Sequence, residues 1–144
     1  MITPKLEPLF KLETYQRQPR FQNGFYQQDI LSVNQFNKEN LDYIFERADE
    51  MKAMAHQWGT CDLLKDYTLA CVFYEPSTRT SSSFISAMAR LGGKVIPITE
   101  GIQYSSVSKG ESLIDSILTL EQYCDVIVLR HSEIGSSATA AKYA

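Results

Sequence analysis

An apolar run, Thr68-Leu69-Ala70-Cys71-Val72-Phe73, is followed within a few residues by a different pattern. There Phe84, Ile85, Met88 and Leu91 recur at helical spacing, and Gly92-Gly93 closes the segment. The run is short and rich in β-branched and aromatic residues, so it predicts a buried strand over 68–74 followed by a helix over 77–91. The alternation continues downstream. A strand is expected at 94–98, and a helix at 110–123 with Leu113, Ile114, Ile117, Leu118 and Leu120 on its apolar face. A third strand is expected at 125–129, and an alanine-rich helix from Gly135-Ser136-Ser137 to Tyr143. Strands alternating with helices imply right-handed βαβ crossovers. The expected fold class is therefore α/β, a three-layer parallel sheet flanked by helices.

Upstream, Asn37 can cap a helix that begins near Lys38, with Asn40 as the alternative cap. Leu41, Ile44, Phe45, Ala48, Met51 and Met54-Ala55 form an apolar stripe expected to pack as core, and Gly59 ends the helix. His56, near that end, is expected at the surface or as a partner of the helix dipole. Residues 1–28 carry Pro4, Pro8, Pro19 and Gly24 without a period, and read as an irregular N-terminal arm. The remaining residues, 29–144, read as one domain able to bury a core.

The composition, with 44% hydrophobic and 22% charged residues, is that of a globular protein. A net charge of -3 gives no general attraction to nucleic acid or to a membrane surface, so any anion site must be local. No apolar run approaches the roughly 20 residues needed to span a bilayer. The N-terminus has neither a signal core nor the character of a transit peptide. Cys61, Cys71 and Cys124 are odd in number and lack metal spacing. They read as small thiols in a reducing, cytoplasmic setting, with neither a metal nor a cofactor expected.

In parallel sheets, ligands bind beyond the carboxyl ends of the strands. Three polar segments fall on that edge: Ser77-Thr78-Arg79-Thr80 after the first strand, Ser105 to Lys109 after the second, and Arg130 after the third. The first begins a helix, where free backbone N–H groups and the positive end of the helix dipole favour an anion. Hydroxyls and a guanidinium are added at the same point, and the planar fork of arginine matches phosphate oxygens. The chemistry suggested is recognition of a small phosphate or acyl phosphate. The plainer alternative is an ordinary helix start with Ser77 as its cap and Arg79 as a surface charge. For Arg130 the alternative is an ion pair with Glu133 or Glu75, and for Lys109 a solvated loop position between Gly101 and Gly110.

Phe-x-Glu-x-Ser-Thr-Arg-Thr at 73–80, followed by Ser-Ser-Phe and Arg-Leu-Gly-Gly, resembles the carbamoyl-phosphate signature of aspartate carbamoyltransferases. Ser105-Ser106-Val107-Ser108-Lys109-Gly110-Glu111-Ser112 resembles that family's mobile loop, and Asp125-Val126-Ile127-Val128-Leu129-Arg130-His131 its next strand. Asp29-Ile30-Leu31-Ser32-Val33 resembles the start of the domain, so the likeness runs from about Asp29 to the end. The resemblance implies transfer of a carbamoyl group from carbamoyl phosphate to the amine of aspartate, a step of pyrimidine biosynthesis. It implies carbamoyl-phosphate contacts from Ser77, Thr78, Arg79, Thr80, Ser105, Lys109 and Arg130. Arg79, Thr80, Lys109 and Arg130 would be catalytic, with Thr80 and Arg130 polarising the carbonyl. Ser105 and Lys109 would serve a neighbouring subunit, implying a homotrimer, and Glu75 would pair with an arginine of a second domain. The sister ornithine carbamoyltransferases usually carry another arginine where Ser81 stands, and the lysine loop also favours the aspartate enzyme.

The resemblance also implies that one more strand, a loop with a histidine and a glutamine, and the aspartate-binding domain would lie beyond Ala144. His131 does not replace that histidine by position, and Ser132 stands where the family often has proline. The expectation is a chain that binds carbamoyl phosphate without appreciable turnover alone. The alternative is a stand-alone, non-catalytic binding or regulatory module.

Overall fold

The computed structural model describes residues 25, 28–99 and 110–144. The chain divides into two units, Met1–Gly59 and Thr60–Ala144. In the first, a 3-10 turn at Val33–Gln35 is closed reciprocally. Asn34 N–H donates to Ser32 Oγ at 3.2 Å, while Ser32 N–H donates to Gln35 Oε1 at 2.8 Å. Helix α1, Lys38–Trp58, is capped by Asn37, and Asn40, the alternative cap, lies inside the helix as its reciprocal partner. Asn40 N–H donates to Asn37 Oδ1 at 2.8 Å, and Asn37 N–H returns to Asn40 Oδ1 at 3.3 Å. Two orphan donors are thus satisfied by a pair of asparagines. Gly59 ends α1 in a positive-φ conformation.

The α1 stripe expected to be core is buried only in part. Met54 is 2% exposed, but Phe45 is 61% and Leu41 36% exposed. Helical spacing fixes which residues share a face, not how much of that face is covered.

The second unit holds a three-stranded parallel sheet of β1 (Thr68–Phe73), β2 (Lys94–Ile98) and β3 (Val126–Arg130), in the order β2-β1-β3. Central β1 is buried from Leu69 onward, which is why its sequence is continuously apolar. β2 is an edge strand and can carry the exposed Pro97. Ala70, Val72 and Tyr74 on one face pack with Ile127 and Leu129 of β3 and with Leu113 and Leu120 of helix α3, Leu113–Leu120. Helix α2, Thr78–Arg90, packs against β1 and β2, and helix α4, Ser136–Tyr143, packs against α3.

The element bounds differ by a residue or more from the sequence expectation at several ends, most clearly in α3 and β3. α3 begins later than residue 110, because Ser112 and Asp115 form a reciprocal capping box. β3 is shifted by one residue. Asp125 closes the ladder from outside it, accepting from Thr68 N–H at 2.8 Å, and Arg130 lies inside the strand opposite Phe73.

The chain runs from β1 to β2 on one side, then crosses back to β3 on the other. Right-handed crossovers in opposite directions place α2 and α3 on opposite faces. They also make the β1/β3 boundary the point where strand order reverses, so the loops after β1 and β3 diverge and leave a crevice.

Candidate functional site

The crevice is a cleft of about 460 Å³. Phe73 and Val128 line it from the sheet, and Thr80 and Phe84 from α2. Arg130, His131, Glu133, Ser136 and Ser137 line it from the end of β3 and the start of α4. Its apolar part comes from strand residues whose side chains alternate toward α2, and its polar part from the two diverging loops.

Helix α2 starts unlike α1 and α3. Ser77 occupies the cap position, but its hydroxyl makes no capping hydrogen bond, and no acidic side chain stands in the first turn. The buried Ser81 donates its hydroxyl to Ser77 C=O at 2.7 Å, the same carbonyl that accepts Ser81 N–H at 2.9 Å. The ordinary cap expected as the plain alternative for Ser77 is therefore not formed. The first-turn N–H groups and the positive end of the dipole carry no compensating side chain from the helix itself. Thr78, Arg79 and Thr80 are exposed there. The Arg79 guanidinium has no hydrogen-bond or ion-pair partner among the described residues.

Across the cleft, Arg130 Nε donates to Glu75 Oε2 at 3.3 Å, with both side chains a little under half exposed. This is one of the two ion pairs weighed from sequence. Tyr74 N–H donates to Arg130 C=O at 2.9 Å, so the ladder fixes the arginine backbone one residue beyond Phe73. His131 Nδ1 lies 3.0 Å from Glu133 N and 2.9 Å from Ser136 Oγ, and its ring lies 4.5 Å from that of Tyr74.

Of the residues expected from sequence, Thr80 and Arg130 line one cleft. Ser77, Thr78 and Arg79 stand beside it on the adjoining helix start, and Glu75 is held on Arg130. Ser105 and Lys109 lie outside the described residues. Sequence reasoning did not single out Phe84, Ser136 or His131 as site residues. Phe84 stands in the sequence as part of a helical stripe and of the Ser-Ser-Phe segment, neither of which assigns it a site role, and the setting of His131 and Ser136 includes a fold-dependent contact with Tyr74.

Among the described residues, no three His, Cys, Asp or Glu side chains gather as a metal site. Burial pushes the Cys71 and Cys124 thiols above their ordinary range, which keeps them protonated and unreactive. The chemistry available in the cleft is anion recognition: one guanidinium at its wall, another at its rim, hydroxyls, and an uncapped helix start.

Residues 28–144 match the family described as aspartate/ornithine carbamoyltransferase, carbamoyl-P binding domain. The chain is 49% identical over 119 residues to the multifunctional protein pyrABCN of Emericella nidulans, covering 83% of this chain and 5% of that protein. It is 46% identical over 125 residues to aspartate carbamoyltransferase 1, chloroplastic, of Pisum sativum, covering 85% of this chain and 32% of that protein. The chain thus spans a third or less of either relative. Among solved structures, the catalytic subunit of M. jannaschii aspartate transcarbamoylase matches with a TM-score of 0.73 and 45% identity, over 79% of this chain and 37% of that one. Aspartate transcarbamoylase from Trypanosoma cruzi in complex with carbamoyl phosphate and aspartate matches with a TM-score of 0.74 and 35% identity, over 81% and 38%. No helix among the described residues is long and apolar enough to cross a membrane.

Proposed function

The chain belongs to the aspartate/ornithine carbamoyltransferase family through its carbamoyl-P binding domain, and from that premise we propose that it is the carbamoyl-phosphate-binding part of an aspartate carbamoyltransferase. The whole enzyme transfers the carbamoyl group to the amine of aspartate. The amine attacks the carbonyl carbon, the bond from that carbon to the phosphate oxygen breaks, and the amine loses a proton. N-carbamoyl-aspartate and phosphate are the products.

The observation that carries this reading is the meeting of Thr80 and Arg130 on one cleft at the strand-order reversal, beside the uncapped start of α2. Arg79 and the Ser77–Thr78 hydroxyls take the phosphate, with first-turn N–H groups. Thr80 and Arg130 donate to the carbonyl oxygen, where charge grows as the amine attacks. The first acyl contacts thus come from this chain, while the groups that hold aspartate come from a second, aspartate-binding domain. Ser105 and Lys109 act in the site of an adjacent copy, so the assembly is a homotrimer. Glu75 releases Arg130 and pairs with the second domain on closure. The three free thiols suit a reducing compartment, which supports a cytoplasmic location.

The test is formation of carbamoyl-aspartate from labelled aspartate, comparing the 144-residue chain with the same chain extended by an aspartate-binding domain. Activity is expected only in the extended form, as a trimer by light scattering, and is expected to fall sharply in Arg79→Ala and Lys109→Ala. Aspartate-saturable turnover by the chain alone, or wild-type activity in both variants, overturns the reading.

A further inference from the structure

The environment of His131 is more constrained than a loop histidine requires. Glu133 N–H can only donate, so Nδ1, 3.0 Å away, must be an acceptor. The Ser136 hydroxyl at 2.9 Å therefore donates to the same nitrogen, and the neutral ring carries its hydrogen on Nε2. Ser136 is 7% exposed and is the first residue of α4, and the Tyr74 ring packs on the imidazole from the end of the central strand. One ring atom thus joins the turn at Glu133 to the helix start at Ser136, and the ring anchors both to the sheet. Gly135, at φ 89, precedes α4 and supplies no side-chain cap, so the start of this helix depends on the contacts that His131 and Ser136 make. Arg130, His131, Glu133, Ser136 and Ser137 all line the cleft.

We propose that His131 is a positioning residue: its Nδ1, as a double acceptor, holds the turn at 131–136 and the start of α4 as a preformed wall of the cleft beside Arg130. The inference rests on reading that cleft as the phosphate site. A wall already in place leaves less ordering to be done when the anion binds, which raises affinity without a direct contact from His131.

The test compares His131→Asn, His131→Gln and His131→Phe with wild type. The asparagine oxygen reaches the place of Nδ1, the glutamine amide reaches that of Nε2, and phenylalanine keeps a ring for Tyr74 but has no acceptor. Inorganic phosphate affinity is measured by calorimetry, and hydrogen exchange at the Glu133 amide by NMR. His131→Asn is expected to keep Glu133 protected and to bind phosphate within about twofold of wild type. His131→Gln and His131→Phe are expected to expose that amide and to bind roughly three- to tenfold more weakly, the scale of one lost hydrogen bond. If His131→Phe does not fold, the asparagine–glutamine pair decides, since both lose the ring and differ in where the acceptor sits. Wild-type affinity in His131→Gln, or equal loss in His131→Asn, overturns the inference alone. Absence of phosphate binding by wild type overturns the functional reading and this inference together.

Discussion

Replacing Arg79 by alanine separates the site from the fold, because the two effects have opposite signs. Arg79 is exposed in the first turn of α2, and its guanidinium has no partner among the described residues. A cation there opposes the helix dipole by about 0.3–1 kcal/mol, and alanine is the better helix former. The unliganded variant is therefore expected to be as stable as wild type, or more stable by up to about 1 kcal/mol. Binding moves the other way. A charge-assisted hydrogen bond is worth roughly 1.5–3 kcal/mol, so the variant should bind at least about tenfold more weakly. At a ligand concentration about a hundred times the wild-type Kd, binding stabilises wild type by about 2.7 kcal/mol. A variant weakened tenfold keeps about 1.4 kcal/mol at that concentration, and one weakened a hundredfold about 0.4 kcal/mol. For a unit of about 60–100 residues, the lost 1.3–2.3 kcal/mol corresponds to roughly 5–18 °C of ligand-induced Tm shift. The assay is thermal unfolding with and without inorganic phosphate or a phosphonate bisubstrate analogue, which survive heating. A variant that unfolds earlier without ligand and keeps the full wild-type shift would refute both halves of the reasoning.

Three further outcomes follow from single contacts. Glu75→Gln removes a half-exposed ion pair worth about 0.2–1 kcal/mol, so at low salt phosphate should bind up to about fivefold more tightly while stability falls by no more than that amount; weaker binding in calorimetry would contradict it. Gly92→Ala should cost more in urea unfolding than Gly110→Ala, because both positions have positive φ but, of the two, only at Gly92 does an added Cβ meet a backbone atom among the described residues, Cys61 O at 2.6 Å. The strain of φ alone is about 1–2 kcal/mol, and the clash adds to it. Burial raises the Cys71 thiol above its ordinary 9.0, so its contribution to stability is fully present below about pH 9 and is lost as pH rises through the raised value. Cys71→Ala should make the decline of unfolding free energy above that pH shallower, and an unchanged slope would count against the burial argument.

The alternation of strands and helices was legible because each signal was local. Thr68 to Phe73 is apolar without interruption since β1 is covered on both faces, and Gly92 marks the end of α2. The Asn37–Asn40 choice could not be made from sequence because the two are reciprocal partners in one capping box, in which Asn37 is the cap and Asn40 the third residue of the helix. The α1 stripe was read as core from its period, yet Phe45 is mostly exposed, since periodicity carries no information about what covers a face. Strand order was not legible. An alternating sequence is compatible with several orders of three parallel strands, and only the β2-β1-β3 pairing places the reversal between β1 and β3. His131 does not stand where the family's histidine is expected, so its sequence position carries no site signal. Its partners Glu133 and Ser136 are near in sequence, but the ring contact beside them comes from Tyr74, just beyond the end of β1.

The electrostatics of the cleft were anticipated in kind and altered in detail. Two arginines on one sheet edge repel unless an anion lies between them. The structure relieves this at one of them with a carboxylate from 55 residues away in the chain, Glu75 on Arg130. Arg79 is relieved differently, by exposure to solvent at the helix start. The pair is single-contact, at 3.3 Å, and half in water, so Glu75 is a weak occupant. On the proposed reading, a dianion at the cleft meets Arg79, which has no partner among the described residues, and Arg130, which is committed only loosely. On the proposed reading of the cleft, binding is an exchange at Arg130, one carboxylate for a phosphate or carbonyl oxygen, rather than the filling of a vacant charge. Under that proposal the exchange frees Glu75 as the ligand is seated, and any partner for the freed carboxylate is coupled to ligand binding by the same interaction.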